Sequence, residues 1–198
     1  MRFKNEIILV IFIALVISVW FFINWRRKKM TIGTKQYTFK NASTAGHIAQ
    51  LHPSVRKNFA DFVEEVESPQ NGDLEVYVTS SYRSPEKQHA MFLAKETPTA
   101  ISLHNFGFAF DINVNGTDVK GNKVALRMKT ASSDLDQTDF NDWAKIVAIA
   151  KKYNLSWGGK FIGYADRVHF QYLTAKKASE YLAIFNAGKK DKEGFVIV

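Results

Sequence analysis

The sequence predicts an α+β fold: a small, mainly antiparallel sheet flanked by helices, preceded by one N-terminal transmembrane helix. Three observations predict it. Short stretches alternate with period 2 at residues 74–81, 108–115 and 168–172. Between them lie segments whose apolar residues recur at helical intervals. Interleaved strands and helices that each need one buried face pack as layers around a common core. The third observation is an unbroken apolar run near the start of the chain.

That run covers residues 7–23, 17 positions of which only Ser18 is polar. At 1.5 Å per residue it spans about 25 Å, close to the thickness of a bilayer's hydrocarbon core. Trp20 and Trp25 suit an interface belt, and Arg26, Arg27, Lys28 and Lys29 end the run abruptly. No small-x-small cleavage site comes after it, and the run is longer than a signal peptide's apolar stretch. Residues 1–29 are therefore expected to be a retained anchor in the lipid bilayer. Lysine and arginine number four after the span and two before it, which by charge alone would keep the rest of the chain cytoplasmic.

Residues 30–41 read as a tether with a short strand in it, and 42–51 as a helix. His47 and His52 have nothing at ligand spacing to pair with and read as ordinary helix or turn residues. After Pro53, the residues Val55, Phe59, Phe62, Val63 and Val66 recur as one helical stripe. The turn formers Ser68-Pro69-Gln70-Asn71-Gly72 break it. A strand over 74–81 then leads to a helix over 85–94. This puts Arg83 at a strand-to-helix corner, Gln88 on the first helical turn lining a cleft, and His89 in solvent.

In 108–115, Phe108, Phe110, Ile112 and Val114 face the core, while Ala109, Asp111 and Asn113 face a cleft. His104 precedes Asp111 by seven residues, an odd separation that a straight strand would turn to opposite faces; Gly107 lets the backbone bend between them. Residues 116–130 read as a loop or hairpin, and Asp118 and the acidic residues from Asp134 to Asp142 as solvated positions. Phe140, Trp143, Ala144, Val147 and Ala150 form a helix stripe with Trp143 in the core. Residues 155–161 are a strand and a glycine turn. In 168–172, Val168, Phe170 and Tyr172 point inward, and His169 and Gln171 outward. A closing helix over 175–187 completes a domain of residues 42–187. Residues 188–198 form a basic, loosely held tail.

His104, Asp111 and His169 offer two imidazoles and a carboxylate, the ligand count of an open catalytic zinc site, and Asp166 is a spare carboxylate three residues before His169. The chain has no cysteine, which excludes disulfides and thiolate metal sites. Of the formal charge of +8, residues 1–29 carry +5 and the remainder +3. The basicity flanks the apolar run and leaves no nucleic-acid footprint on the folded part.

The pattern Ser-x-His-x-x-Gly-x-Ala-x-Asp over 102–111, then Asp-x-x-His over 166–169, resembles the zinc peptidases of the M15 family. Thr79-Ser80-Ser81-Tyr82-Arg83-Ser84 with Gln88 is similar to that family's strand-end element, and the likeness runs over about residues 51–173. The family comprises D-Ala-D-Ala carboxypeptidases and L-alanyl-D-glutamate endopeptidases of the cell wall. The resemblance implies that His104, Asp111 and His169 hold Zn²⁺ and that Asp166 is the general base. It further implies that Arg83 stabilises the tetrahedral intermediate, with Ser102, Gln88, Ser81 and Trp157 as supporting or substrate-contacting residues. It implies a substrate too, the peptidoglycan stem peptide. Asp-x-x-His and Trp157-Gly158-Gly159 favour the L-Ala–D-Glu bond over the D-Ala-D-Ala bond. A non-catalytic, membrane-tethered wall-binding protein is the rival of another class. A monomer at the cell membrane, its domain facing outside, is implied by that reading against the charge flanks. Two departures stand out: the segment before Ser102 is shorter than the family's glycine-rich loop, and Val168 replaces a common proline.

Overall fold

The computed structural model describes residues 15–18, 29–117, 121–126 and 137–198. Its elements are strands β1 (Lys29–Ile32) and β2 (Lys35–Thr38), helices α1 (Thr44–Ala49) and α2 (Arg56–Val66), strand β3 (Glu75–Ser80), helix α3 (Pro85–Leu93), strands β4 (Ala109–Thr117) and β5 (Lys123–Ala125), helix α4 (Gln137–Lys152), strands β6 (Leu155–Trp157) and β7 (His169–Tyr172), and helix α5 (Ala178–Asn186). Single 3₁₀ turns cover Pro69–Asn71, Leu103–Phe106 and Gly158–Lys160. The fold is α+β, with antiparallel sheets flanked by helices.

β4 is the axis. β3 pairs along one edge, with Asp111 opposite Ser80 and Asn115 opposite Glu75. The other edge is shared: β7 takes Ala109 to Asp111 and β5 takes Asn115 to Thr117. β6 closes the sheet beyond β7. The β3 register slips between Val78 and Ser80. Such a bulge bends a strand and re-aims the residues beyond it, here the segment leading to Arg83.

Alternation along β4 sorts its side chains as expected from Phe110 onward, but Ala109, expected to face the cleft, is fully buried. Phe110, Ile112 and Val114 are buried, whereas Asp111 and Asn113 look outward from the core. Phe110 meets Phe59 of α2 edge-on with ring centroids 4.5 Å apart, and Phe170 of β7 at 6.4 Å. Burying each such ring contributes about 1.5–3 kcal/mol, so this layer fixes the strand that carries Asp111.

Several expectations need correcting. Residues 30–41 are not a tether: β1 and β2 form a hairpin, and Tyr37 and Phe39 are fully buried in the main core. Tyr37 gives its hydroxyl to Asp61 of α2 at 2.8 Å, which locks the hairpin onto that helix. The buried stripe of α4 is Trp143, Ile146, Ile149 and Ala150, while Ala144 is exposed, so the face is set by the i, i+3 spacing of the isoleucines. The last residues are not loose. Val196 is buried, its carbonyl accepts from His52 Nε2 at 2.9 Å, and Lys190 pairs with Val196. Residues 15–18 are helical and the rest of 7–23 lies outside the described residues, as do Asp118 and Asp134. Among the described residues no helix is long and apolar enough to cross a membrane, which overturns the expected single-pass placement at the cell membrane.

Candidate active site

Three elements deliver the site, and each is fixed by a local requirement of the sequence. The 3₁₀ turn Leu103–Phe106 carries His104. Ser102 caps it: its hydroxyl accepts from the His104 N–H at 3.4 Å, and its own N–H donates to Asn105 Oδ1 at 2.8 Å. Asn105 Nδ2 in turn donates to the Arg83 carbonyl at 2.9 Å, and the Arg83 N–H donates to the His104 carbonyl at 3.1 Å. Gly107 ends the turn at φ +74°, and a Cβ there would lie 2.5 Å from the His52 backbone nitrogen. Only glycine fits both the backbone and the space. β4 then begins, bringing Asp111 back beneath His104.

β7 supplies the third side chain, since Asp111 and His169 are direct cross-strand partners. The chain ahead of His169 is held against the 3₁₀ turn Gly158–Lys160. The Asp166 N–H donates to the Gly158 carbonyl at 3.0 Å, and Trp157 Nε1 donates to the Arg167 carbonyl at 2.7 Å. A Cβ on Gly158 would come within 2.6 Å of the Asp166 carbonyl and 3.0 Å of the His169 Cβ. Glycine at 158 is therefore what lets Asp166 sit beside His169.

Hydrogen bonding decides which imidazole nitrogens face inward. A carbonyl only accepts, so His104 donates from Nδ1 to Ser81 O at 2.5 Å and presents a bare Nε2. His169 donates from Nε2 to Gln171 Oε1 at 3.1 Å and presents Nδ1. These two nitrogens and Asp111 Oδ1 lie 3.1 Å from one another. Three lone-pair atoms at such spacing, with neutral imidazoles, repel unless they share a cation. A tetrahedral centre with bonds of about 2.0–2.1 Å sets its donors about 3.3 Å apart. The donor set thus fits a metal ion.

A cleft of about 590 Å³ opens over these atoms, and Arg83, Ser102 and Asp166 share its wall with the three donors. Arg83 is braced by Gln88 Oε1 at 2.7 Å and Ser80 Oγ at 3.2 Å, with Nη2 3.8 Å from Asp111 Oδ2. Asp166 is half-buried, and burial pushes its carboxyl above the usual range against the opposing pull of His169.

Three expected residues stand elsewhere. Gln88 does not line the cleft. It is fully buried, holding Arg83 with its oxygen and donating to the Thr99 carbonyl at 2.7 Å with its nitrogen. The Ser81 hydroxyl turns away to Gln50 at 3.0 Å, and only its carbonyl serves His104. Trp157 does not reach the cleft wall but secures the backbone of Arg167. His47 and His52 lie outside the donor set. Gln171 was missed as a site residue, although the period-2 pattern already placed it on the same strand face as His169.

Known proteins resemble the chain over these same residues. Residues 95–172 match the M15 peptidase family model described as D-alanyl-D-alanine carboxypeptidase. Over 134 residues the chain is 26% identical to the peptidoglycan L-alanyl-D-glutamate endopeptidase CwlK of Bacillus subtilis (strain 168), spanning 63% of this chain and 75% of that protein. The crystal structure of the Serratia marcescens L-Ala D-Glu endopeptidase ChiX aligns with a TM-score of 0.44 at 20% identity, over 66% of this chain and 86% of that one.

Proposed function

We propose that this chain, which carries an M15 peptidase domain, is a zinc-dependent peptidase that hydrolyses peptidoglycan stem peptides at the L-Ala–D-Glu bond. The observation that carries the reading is the triangle of donor atoms at 3.1 Å, each imidazole locked in the tautomer that leaves its inner nitrogen free. Among first-row ions, zinc suits two imidazoles, one carboxylate and an open fourth position. When bound, zinc supplies a Lewis acid for the scissile carbonyl and lowers the pKa of water.

The chain's own residues do the rest. Asp166 takes a proton from the attacking water as oxygen adds to the carbonyl carbon, and returns one to the amide nitrogen as the C–N bond breaks. Its raised pKa matches a group that must both accept and release a proton. The Arg83 guanidinium, fixed by Gln88 and Ser80, donates to the oxygen on which negative charge develops. Ser102 keeps His104 in place through its capping bonds.

The choice of bond leans on the similarity to a relative whose name specifies the L-alanyl-D-glutamate linkage. The family model's description favours a second reading, cleavage of D-Ala-D-Ala. Mass spectrometry of muropeptides incubated with the zinc-loaded chain separates them. The endopeptidase releases fragments with D-Glu at a new amino terminus, the carboxypeptidase releases free D-Ala, and uncut muropeptides would refute both. A wall-binding protein without activity would have no use for Asp166 and Arg83 on one cleft wall.

A further inference from the structure

On the far side of Asp166 lies a second hollow of about 710 Å³, which shares only Asp166 with the first. It occupies the stretch of the β4 edge between β7 and β5 and opens over the outward row of β3 and β4. Thr79, Asn113 and Asn115 give it a floor of neutral hydrogen-bonding groups, and Arg167 and Val168 form its wall. That wall is rigid. Its backbone is tied at three consecutive residues, by Asp166 N–H to Gly158 O at 3.0 Å, Trp157 Nε1 to Arg167 O at 2.7 Å, and Ile112 N–H to Val168 O at 2.9 Å.

Arg167 is half-buried, and among the described residues its side chain has neither an ion pair nor a hydrogen bond. The carboxylates of the neighbouring site are already engaged: Asp111 belongs to the donor triangle, and Asp166 faces the reacting bond. A guanidinium held on a fixed wall, partly out of water and with no counter-charge paired to it among the described residues, presents a planar fork of donors that matches a carboxylate. Its position assigns the ligand to one side of the bond being cut. Asp166 returns its proton to the leaving amine, so the amine-side fragment starts at Asp166 and has the second hollow in front of it.

Resting on the peptidase reading, we infer that Arg167 binds a free carboxylate on the amine-side part of the substrate. The protein then distinguishes a stem peptide whose D-glutamate keeps its free α-carboxylate from one in which that group is a carboxamide. The neutral floor of Thr79, Asn113 and Asn115 hydrogen-bonds the peptide groups beyond it.

Binding tests this without turnover. The dipeptide γ-D-glutamyl-L-lysine and its α-carboxamide are titrated calorimetrically into the full zinc-loaded chain and into R167Q and R167K. The wild type binds the carboxylate form about tenfold more tightly, the scale of a charge-assisted hydrogen bond. R167Q binds the two alike, with its affinity for the carboxamide unchanged, and R167K keeps part of the preference. Equal binding of both dipeptides by the wild type, or a preference retained in R167Q, overturns the inference. The ratio of kcat/KM values must likewise favour the intact acid stem peptide over its amide, and that preference must disappear in R167Q. If the wild type cuts neither peptide yet shows the dipeptide preference and loses it in R167Q, the carboxylate site stands and the peptidase reading fails.

Discussion

Gln171 offers the sharpest test of how the donor triangle is held. Its Oε1 accepts from His169 Nε2 at 3.1 Å, and that single contact keeps the proton off Nδ1. In Gln171→Leu, of similar size, the acceptor disappears and the imidazole is free to carry its proton on the inner nitrogen or to turn. The lost hydrogen bond amounts to about 0.5–1.5 kcal/mol, or roughly 2- to 13-fold in an equilibrium constant. Losing ring orientation adds to this, and partners of metal-bound histidines change metal affinity by about 10–100-fold. Zinc affinity should therefore fall about tenfold, read by competition with a chromophoric chelator. Gln171 is only half-buried, so the thermal midpoint of the metal-free protein should hardly move. Gln171→Glu keeps an acceptor and makes it anionic, so zinc affinity should hold or rise. An unchanged affinity in Gln171→Leu would refute the reasoning.

Three further outcomes are expected. Asp166→Asn should bind zinc normally while turnover on muropeptides falls by about 10²–10⁴; in the wild type the base works only when ionised, so kcat/KM should drop as pH falls through a pKa above the ordinary Asp value of 3.8. Gly107→Ala must place a methyl 2.5 Å from the His52 nitrogen at φ +74°, which costs at least about 1–2 kcal/mol in urea unfolding from the backbone alone, and the shift of the His104 turn should weaken zinc binding. Asp61 is buried, which opposes its ionisation, yet hydrogen bonds from Lys35, Lys57 and Tyr37 hold its pKa below 3.8. Its stabilisation is then complete above that value and is lost as pH falls through the depressed folded one, so Asp61→Asn should lower stability at pH 7 and flatten the acid limb of thermal midpoint against pH.

Legibility in the sequence tracked which contacts are local or periodic. The alternation from Phe108 to Asn115 was readable because the sheet is half-buried, which forces period 2 on side-chain polarity. The break at Gly107 was readable because a left-handed turn leaves a glycine behind. The hairpin of β1 and β2 was not: its strands are four residues long, and only Tyr37 and Phe39 mark it as core. The docking of the last residues depends on a bond from His52 to Val196, 144 positions apart, which no local pattern encodes. Two stripes competed in α4, and choosing Ala144 and Val147 over Ile146 and Ile149 shifted the buried face by part of a turn. Gln88 looked like a cleft residue from its helical position. The bulge in β3 instead swings Arg83 over it, and the amide becomes buried scaffolding.

Zinc stoichiometry by equilibrium dialysis and elemental analysis addresses the donor triangle most directly. The wild type and Asp166→Asn should each retain one ion per chain, and His104→Ala, Asp111→Ala and His169→Ala should each lose it. One ion per chain retained in all three alanine variants would show that the metal sits elsewhere, and the proposed chemistry would have no centre.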